Sequence, residues 1–284
     1  MSKTSLTQAE KGERFRELHR REQAFIIPNP WDRGTARLLE SLGFEALATT
    51  SAGYAFSIAQ PDGTLDRETM IAHAADIAAG SDLPVSADLE NLYVDDPSDV
   101  AETIRMAAAV GLAGCSIEDV PLGRERVPYD LALAAERVRA AAEAAHGLPF
   151  PFTLTARSEN FIVGRPDLRD TIARLQAFQD AGADVLFAPG LRTKEDIGTV
   201  IRSVDRPVNV IMGLQGVRNS LAELSELGVK RVSVGSALSR AALGMFLRGA
   251  QEMRDHGTFN FAEDAVKYAD LNALFAEKKS IRAA

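Results

Sequence analysis

Eight short apolar runs punctuate this chain, and each is followed by a stretch with helical patterning. The runs occupy 24 to 29 (A-F-I-I-P-N), 46 to 50 (A-L-A-T-T), 84 to 87 (P-V-S-A), 113 to 119 (A-G-C-S-I-E-D), 152 to 157 (F-T-L-T-A-R), 184 to 189 (D-V-L-F-A-P), 207 to 212 (P-V-N-V-I-M) and 231 to 236 (R-V-S-V-G-S). The helical stretches follow at 32 to 42, 67 to 80, 97 to 111, 130 to 145, 166 to 181, 193 to 203, 215 to 227 and 237 to 278, with one more, 7 to 21, ahead of the first run. Such alternation implies βα units and a parallel sheet. Eight units in 284 residues fit a closed (β/α)8 barrel, an architecture that typically needs about 250. Gly43, Gly111, Gly182 and Gly228 close the helices before the second, fourth, sixth and eighth runs, where a helix C-cap is expected. A doubly wound sheet would place a glycine-rich phosphate turn after its first strand; here P-N-P-W-D stands there. The expectation is one barrel domain over 1 to 284, an α/β TIM barrel with an N-terminal helical extension (1 to 23) and C-terminal helices (237 to 284).

Composition narrows the partners. A formal net charge of -8 argues against nucleic acid, which attracts basic surfaces. No apolar run approaches the ~20 residues of a membrane helix, and the polar N-terminus lacks the apolar core of a secretory signal, so the reading is cytoplasmic. A lone cysteine, Cys115, excludes an intrachain disulfide and a thiolate zinc site.

In such barrels the functional face lies at the carboxyl ends of the strands. The residues following each run are Asn29; Thr49, Thr50, Ser51, Ala52 and Gly53; Asp88 and Glu90; Glu118 and Asp119; Arg157; Asn209; and Ser233 with Ser236. Asp88 and Glu90 are two apart, so in an extended chain they point to one side. They read either as a solvated strand end or as ligands of a hard divalent cation, with Glu118 as a third oxygen donor. Arg157 ends an apolar strand, so it is paired with these acids or held for a carboxylate ligand. Thr49 to Gly53 reads as a plain strand exit or as small residues that let backbone N–H groups approach an anion. The turn P-D-G at 61 to 63 matters only where its loop folds over the mouth, bringing Asp62 with it. His19, His73, His146 and His256 all fall in helical stretches, which disfavours a histidine metal site or a Ser-His-Asp triad. Arg124 and Arg126, in the loop after the fourth run, are candidates for closing over a substrate.

Four segments, A-T-T-S-A-G (48 to 53) with the later P-D-G, V-S-A-D-L-E-N-L-Y (85 to 93), G-C-S-I-E-D (114 to 119) and L-T-A-R (154 to 157), together resemble the isocitrate lyase and phosphoenolpyruvate mutase superfamily. The resemblance spans nearly the whole chain. It implies a barrel whose last helix is exchanged between subunits, in a homo-oligomer that is a dimer of dimers. It further implies Mg2+, or Mn2+ in its place, held largely through waters by Asp88, Glu90 and Glu118 with Asp62 nearby. Ser51 and the amides after it would hold a small carboxylate substrate, an oxo acid whose carboxylate Arg157 receives; Thr50, Ala52, Gly53 and Asn209 complete the expected substrate side. The implied activity is a carbon-carbon lyase or decarboxylase acting on a 2-oxo or 2-hydroxy carboxylate through a pyruvate-type enolate. A phosphorus-carbon mutase or hydrolase, and an oxo-acid-binding barrel without turnover, are the alternatives. The chain departs from the lyases at 120 to 129, V-P-L-G-R-E-R-V-P-Y, which lacks their Lys-Lys-Cys-Gly-His-type proton-donating loop. It also carries Glu90 for the usual Asp, Leu92 and Val94 for glycines, and Met212, Gly213 and Leu214 where lyases are polar, which implies a less polar distal pocket.

Overall fold

The computed structural model describes residues 6–123 and 126–276. Every apolar run forms a strand: β1 (Phe25–Ile27), β2 (Leu47–Ala48), β3 (Val85–Ala87), β4 (Gly114–Glu118), β5 (Thr153–Arg157), β6 (Val185–Phe187), β7 (Val208–Ile211) and β8 (Arg231–Ser233). The helices are α1 (Gln8–Arg20), α2 (Arg33–Ser41), α3 (Ser51–Ser57), α4 (Arg67–Gly80), α5 (Val100–Ala109), α6 (Leu131–His146), α7 (Leu168–Asp180), α8 (Lys194–Arg202), α9 (Leu221–Glu226), α10 (Ala237–His256) and α11 (Tyr268–Ala276). All ladders are parallel and run β1-β8-β7-β6-β5-β4-β3-β2, so the expected (β/α)8 barrel is formed. The four glycines of the helix-closing echo take φ of 86°, 88°, 106° and 97°, a region open to glycine at little steric cost.

The β1–β2 seam closes differently. Pro28 and Pro30 lack the N–H that a ladder needs, and a single backbone bond, Ala48 N–H to the Pro28 carbonyl at 3.1 Å, joins the strand ends. Asn29 supplies the rest. Its Nδ2 donates to the Thr49 carbonyl at 2.9 Å, and its Oδ1 accepts from the Val234 and Gly235 amides at 2.9 Å each. Asn29 is thus a clamp across three strand ends rather than an open member of the mouth.

Three helical features differ from expectation, the first being the stretch 215 to 227, which is helical only over Leu221–Glu226. The stretch begun by Pro97 opens with a 3-10 turn, Pro97–Asp99, and α5 starts only at Val100. Helix α3 is an element the sequence pattern does not announce: seven residues follow directly on Thr50, whose hydroxyl caps the helix by accepting from the Gly53 amide. Its apolar period is too short to register against the preceding strand.

At the opposite end α1 covers the amino ends of the strands. Phe15 and Leu18 pack with Phe25, Ile27, Ala46 and Ala113. Gly12 permits that approach, because a Cβ there would fall 2.1 Å from the Pro151 carbonyl oxygen. The main apolar core fills the layer between strands and helices. The barrel interior, by contrast, carries Ser86, Ser116, Thr155, Asn209, Arg231 and Ser233, where branched apolar residues usually dominate.

Helix α10 leaves the barrel. Of its 20 residues only Ser239 and Gly249 are buried, and Phe246 and Leu247 stay 69% and 55% exposed. Helix α11 returns to α2, with the Arg37 guanidinium 5.6 Å over the Phe275 ring. Among the described residues no helix is long and apolar enough to cross a membrane.

Replacing Asn29 by Ala would strand two partly buried N–H groups and one buried carbonyl. The expected loss is about 2–5 kcal/mol in urea denaturation, against about 1 kcal/mol for Thr7→Ala at the exposed cap of α1. Equal losses for the two variants would contradict the clamp.

Candidate active site

Strands β3, β4 and β5 end side by side, and their last residues meet on one guanidinium. Arg157 closes β5 in register with Glu118 of β4 and Phe187 of β6. Its Nη1 donates to Asp88 Oδ1 at 2.8 Å and lies 2.9 Å from Glu118 Oε1, while Nε donates to Glu159 Oε1 at 2.9 Å. The centroid of the Phe187 ring lies 5.1 Å from the guanidinium carbon, a cation–π contact. A second arginine, Arg126, descends from the loop after β4 and donates to the other oxygen of Glu118 at 2.7 Å. It also stands 3.8 Å from Glu159 Oε2, a fully buried oxygen that has no hydrogen-bond donor.

Asp88 and Glu90 reach this place by a route other than the extended spacing read from sequence. Strand β3 stops at Ala87, and Glu90 takes φ 50°, followed by Leu92 at 64° and Tyr93 at 63°. Three non-glycine residues in the left-handed region cost of order 1–3 kcal/mol each, so neighbouring structure has to hold them. Arg137 of α6 does so: its guanidinium donates to the carbonyls of Asn91, Val94 and Asp95 at 2.5–2.6 Å and lies 4.6 Å over the Tyr129 ring. Leu92 is buried in the core, and Thr103 caps its carbonyl at 2.9 Å.

The remaining residues singled out by sequence have varied fates. Ser51, at the start of α3, donates its amide and hydroxyl to Asp88 Oδ2 at 3.2 and 3.0 Å, and Thr49 Oγ1 accepts from the Asp88 amide. Thr50 is occupied as the cap of α3, and Gly53 is closed in, since a Cβ would meet Thr50 Cγ2 at 2.5 Å. Ala52 lies beside them in the first turn of α3. The P-D-G turn does lie near the acids. Asp62 is exposed, yet its carboxyl is raised, first by the solvent it loses and then by the charge of Asp88. Asp119 turns away, accepting from the Glu159 amide at 2.8 Å and from Arg174 at 3.2 Å. Asn209 is buried with both amide atoms spent on Ser233 and Arg231. Cys115 is buried within β4, which pushes its thiol up and makes it a core residue. His73 stacks on Tyr54 at 3.8 Å and His146 pairs with Asp184 far from the mouth. Arg124 lies outside the described residues. The sequence reading missed Glu159, although R-x-E at 157 to 159 was a signal of the same kind as D-x-E.

Charge dominates the electrostatics of the mouth. Asp62, Asp88, Glu90, Glu118 and Glu159, five carboxyl groups, face the guanidiniums of Arg157 and Arg126. Glu118 is held well above the ordinary carboxylate range, by burial first, against the pull of Arg157. Glu90 is pushed up to about 7 by burial and then by Asp88 and Asp62. As the side chains stand, no three acid, histidine or cysteine groups among the described residues converge closely enough to ligate one ion directly. Arg157 lies among them.

A parallel barrel whose mouth gathers oxygen donors around one arginine defines a class of barrel enzymes that handle small anions. Comparison makes this specific: the chain belongs to the phosphoenolpyruvate phosphomutase family, whose model matches residues 15–254. It is similar to a crystal structure of a candidate lyase/mutase from Burkholderia cenocepacia J2315 (61% identity, 95% of this chain and 96% of that one, TM-score 0.92). It is also similar to an oxaloacetate decarboxylase of Paraburkholderia xenovorans (30% identity, 79% of this chain and 75% of that protein). A third relative is 2,3-dimethylmalate lyase, a PEP mutase/isocitrate lyase superfamily member (26% identity, 94% of both chains, TM-score 0.83). The chain is an enzyme of this lyase group.

A carboxyl held above its unfolded value binds more protons in the folded chain, so its contribution to stability is full below about 4.5 and is lost as pH rises toward about 7. With a chelator present, Glu90→Gln therefore stabilises the protein by ~1–3 kcal/mol above that window and flattens the decline across it. Denaturant titrations at several pH values read this; an unchanged slope would contradict it.

Proposed function

We propose that this chain is a Mg2+-dependent lyase or decarboxylase acting on a small 2-oxo or 2-hydroxy carboxylate through a pyruvate-type enolate. One observation carries the reading: five carboxyl groups share two guanidiniums, and one buried oxygen, Glu159 Oε2, is left without a donor. An all-oxygen donor set with excess negative charge suits a hard dication. Asp88, Glu90 and Glu118, with Asp62 on the loop above, are the residues that would hold it, and waters would fill the reach that the side chains leave. When bound, Mg2+, or Mn2+ in its place, supplies the positive charge against which an enolate oxygen develops.

The chain's own residues supply the rest. Arg157, bonded to Asp88 and Glu118 through Nη1, takes the substrate carboxylate once those acids turn to the cation. Ser51 and the amides that open α3, Ala52 among them, orient the oxo acid from the other side; Thr50 and Gly53 fix that turn, and Asn209 forms the wall beneath. Arg126 closes the loop over Glu118 and excludes water. No cysteine, lysine or histidine stands in the loop 120 to 129, and Cys115 is buried with its proton. That favours loss of CO2, which needs charge stabilisation more than a positioned acid, and the apolar run Met212 to Leu214 favours a substrate with a short or methylated tail. Phosphorus-carbon chemistry is the second reading, supported by the family model's own description. The third is an oxo-acid-binding barrel without turnover.

The exposed apolar face of α10, continued by Phe259, Val266 and Tyr268 at 65%, 65% and 85% exposure, supports a homo-oligomer in which a second copy covers it. The swapped last helix and the dimer of dimers belong to the same proposal, as does a cytoplasmic location. Light scattering tests the assembly: a monomeric mass at micromolar concentration would contradict it.

Oxaloacetate, 2,3-dimethylmalate, 2-methylisocitrate and phosphonopyruvate form the test panel, with pyruvate or the matching keto product as readout. At least one of the three carbon acids is expected to turn over with Mg2+ and stop with EDTA, and Arg157→Met should cost ~10²–10³ in kcat/KM. Turnover of phosphonopyruvate alone supports the second reading. Binding without turnover across the panel contradicts the first two.

A further inference from the structure

Between the barrel strands lies a chamber of ≈ 100 Å³ lined by Arg157, Arg231, Asp88, Ser86, Asn209 and Ser233 among others. At ≈ 30 Å³ per water, it has room for about three waters or one small anion. Arg231 is 5% exposed, and its three bonds all go to neutral acceptors: Nε to Asn209 Oδ1 at 3.0 Å, Nη2 to Thr155 Oγ1 at 3.0 Å and Nη1 to His19 Nε2 at 3.4 Å. His19 acts as a neutral acceptor here: its Nδ1–H donates to the Phe15 carbonyl at 2.8 Å, which leaves the Nε2 lone pair for Arg231, and burial and then Arg231 lower its pKa to about 3. Among the described residues no carboxylate pairs with Arg231; Asp88 lines the same chamber, but its oxygens are taken by Arg157 and Ser51. A buried guanidinium normally has an anionic partner, because an unpaired interior charge is costly. Two of its five N–H groups are not accounted for by these bonds.

We propose that this chamber is an anion subsite in which Arg231, with the hydroxyls of Ser86 and Ser233, receives a carboxylate, either a free small one or the second carboxylate of a diacid whose first end lies at Arg157. Burial and then the charge of Arg157 press the Arg231 guanidinium down to about 9, and an anion between the two arginines relieves both effects. The lining also includes Asp88 and Arg157, so the subsite deepens the reading of that site, and a metal-free test keeps failure of the one distinguishable from failure of the other.

Melting of the full chain with EDTA throughout tests it without any metal. Formate probes the chamber alone, malonate spans both arginines, and gluconate, too large to enter, controls for ionic strength. Each small carboxylate is expected to raise Tm by about 5 °C at a hundredfold excess over its dissociation constant, with the rise kept in part by Arg231→Lys and lost in Arg231→Gln. A rise with malonate alone assigns the subsite to diacids; a rise with both assigns it to free carboxylates as well. No rise in the native protein, or an equal rise in Arg231→Gln, overturns the proposal. Where Arg231→Gln does not fold, crystals of the native chain soaked in sodium bromide decide: anomalous density within bonding reach of the Arg231 guanidinium supports the subsite, and its absence overturns it.

Discussion

The contact between Arg157 and the carboxylates of Asp88, Glu118 and Glu159 is the interaction on which the rest of the mouth depends. Three strands bring four charged groups into a space that is largely closed to water. In such surroundings neither sign of charge is tolerable alone. One guanidinium balances part of the negative charge and Arg126 a further part, while burial first, and neighbouring carboxylates after it, raise Glu90 and Glu118 above the ordinary carboxylate range. The arrangement is a site balanced for something more positive than the arginines it contains.

Holding acids in that position requires backbone that would not otherwise stay put. The segment from Glu90 to Tyr93 is left-handed at three non-glycine residues, and Arg137 fastens the Asn91 carbonyl within it and the Val94 carbonyl just after it. Leu92, one of the three, is anchored in the core. The backbone beside the acids is thereby fixed, as a preorganised mouth requires.

Much of this was legible in the residues. The eight-fold alternation predicted the barrel, and the ends of β3, β4 and β5 predicted a shared acidic mouth with Arg157, because strand ends in a barrel converge whatever the loops do. The loops were harder. Asp88 and Glu90 meet, but through a left-handed turn that no two-residue period describes. Helix α3 hid because a capped seven-residue helix beside a strand has too few apolar repeats to be seen. Asn29 looked like a ligand candidate and is a clamp, since the consequence of Pro28 and Pro30 appears only when the barrel closes. Arg231 passed unnoticed: a charged residue that opens a strand signals nothing until its bonds in the interior prove to be to neutral groups alone.

The central claim is that Arg157 stands in for positive charge which a dication brings. A crystal grown with Mn2+ and oxalate tests it most directly. The account predicts one anomalous peak among Asp88, Glu90 and Glu118, with Arg157 released from Asp88 and turned onto the oxalate. A peak elsewhere, or Arg157 still bonded to Asp88 and Glu118 beside bound oxalate, would contradict it.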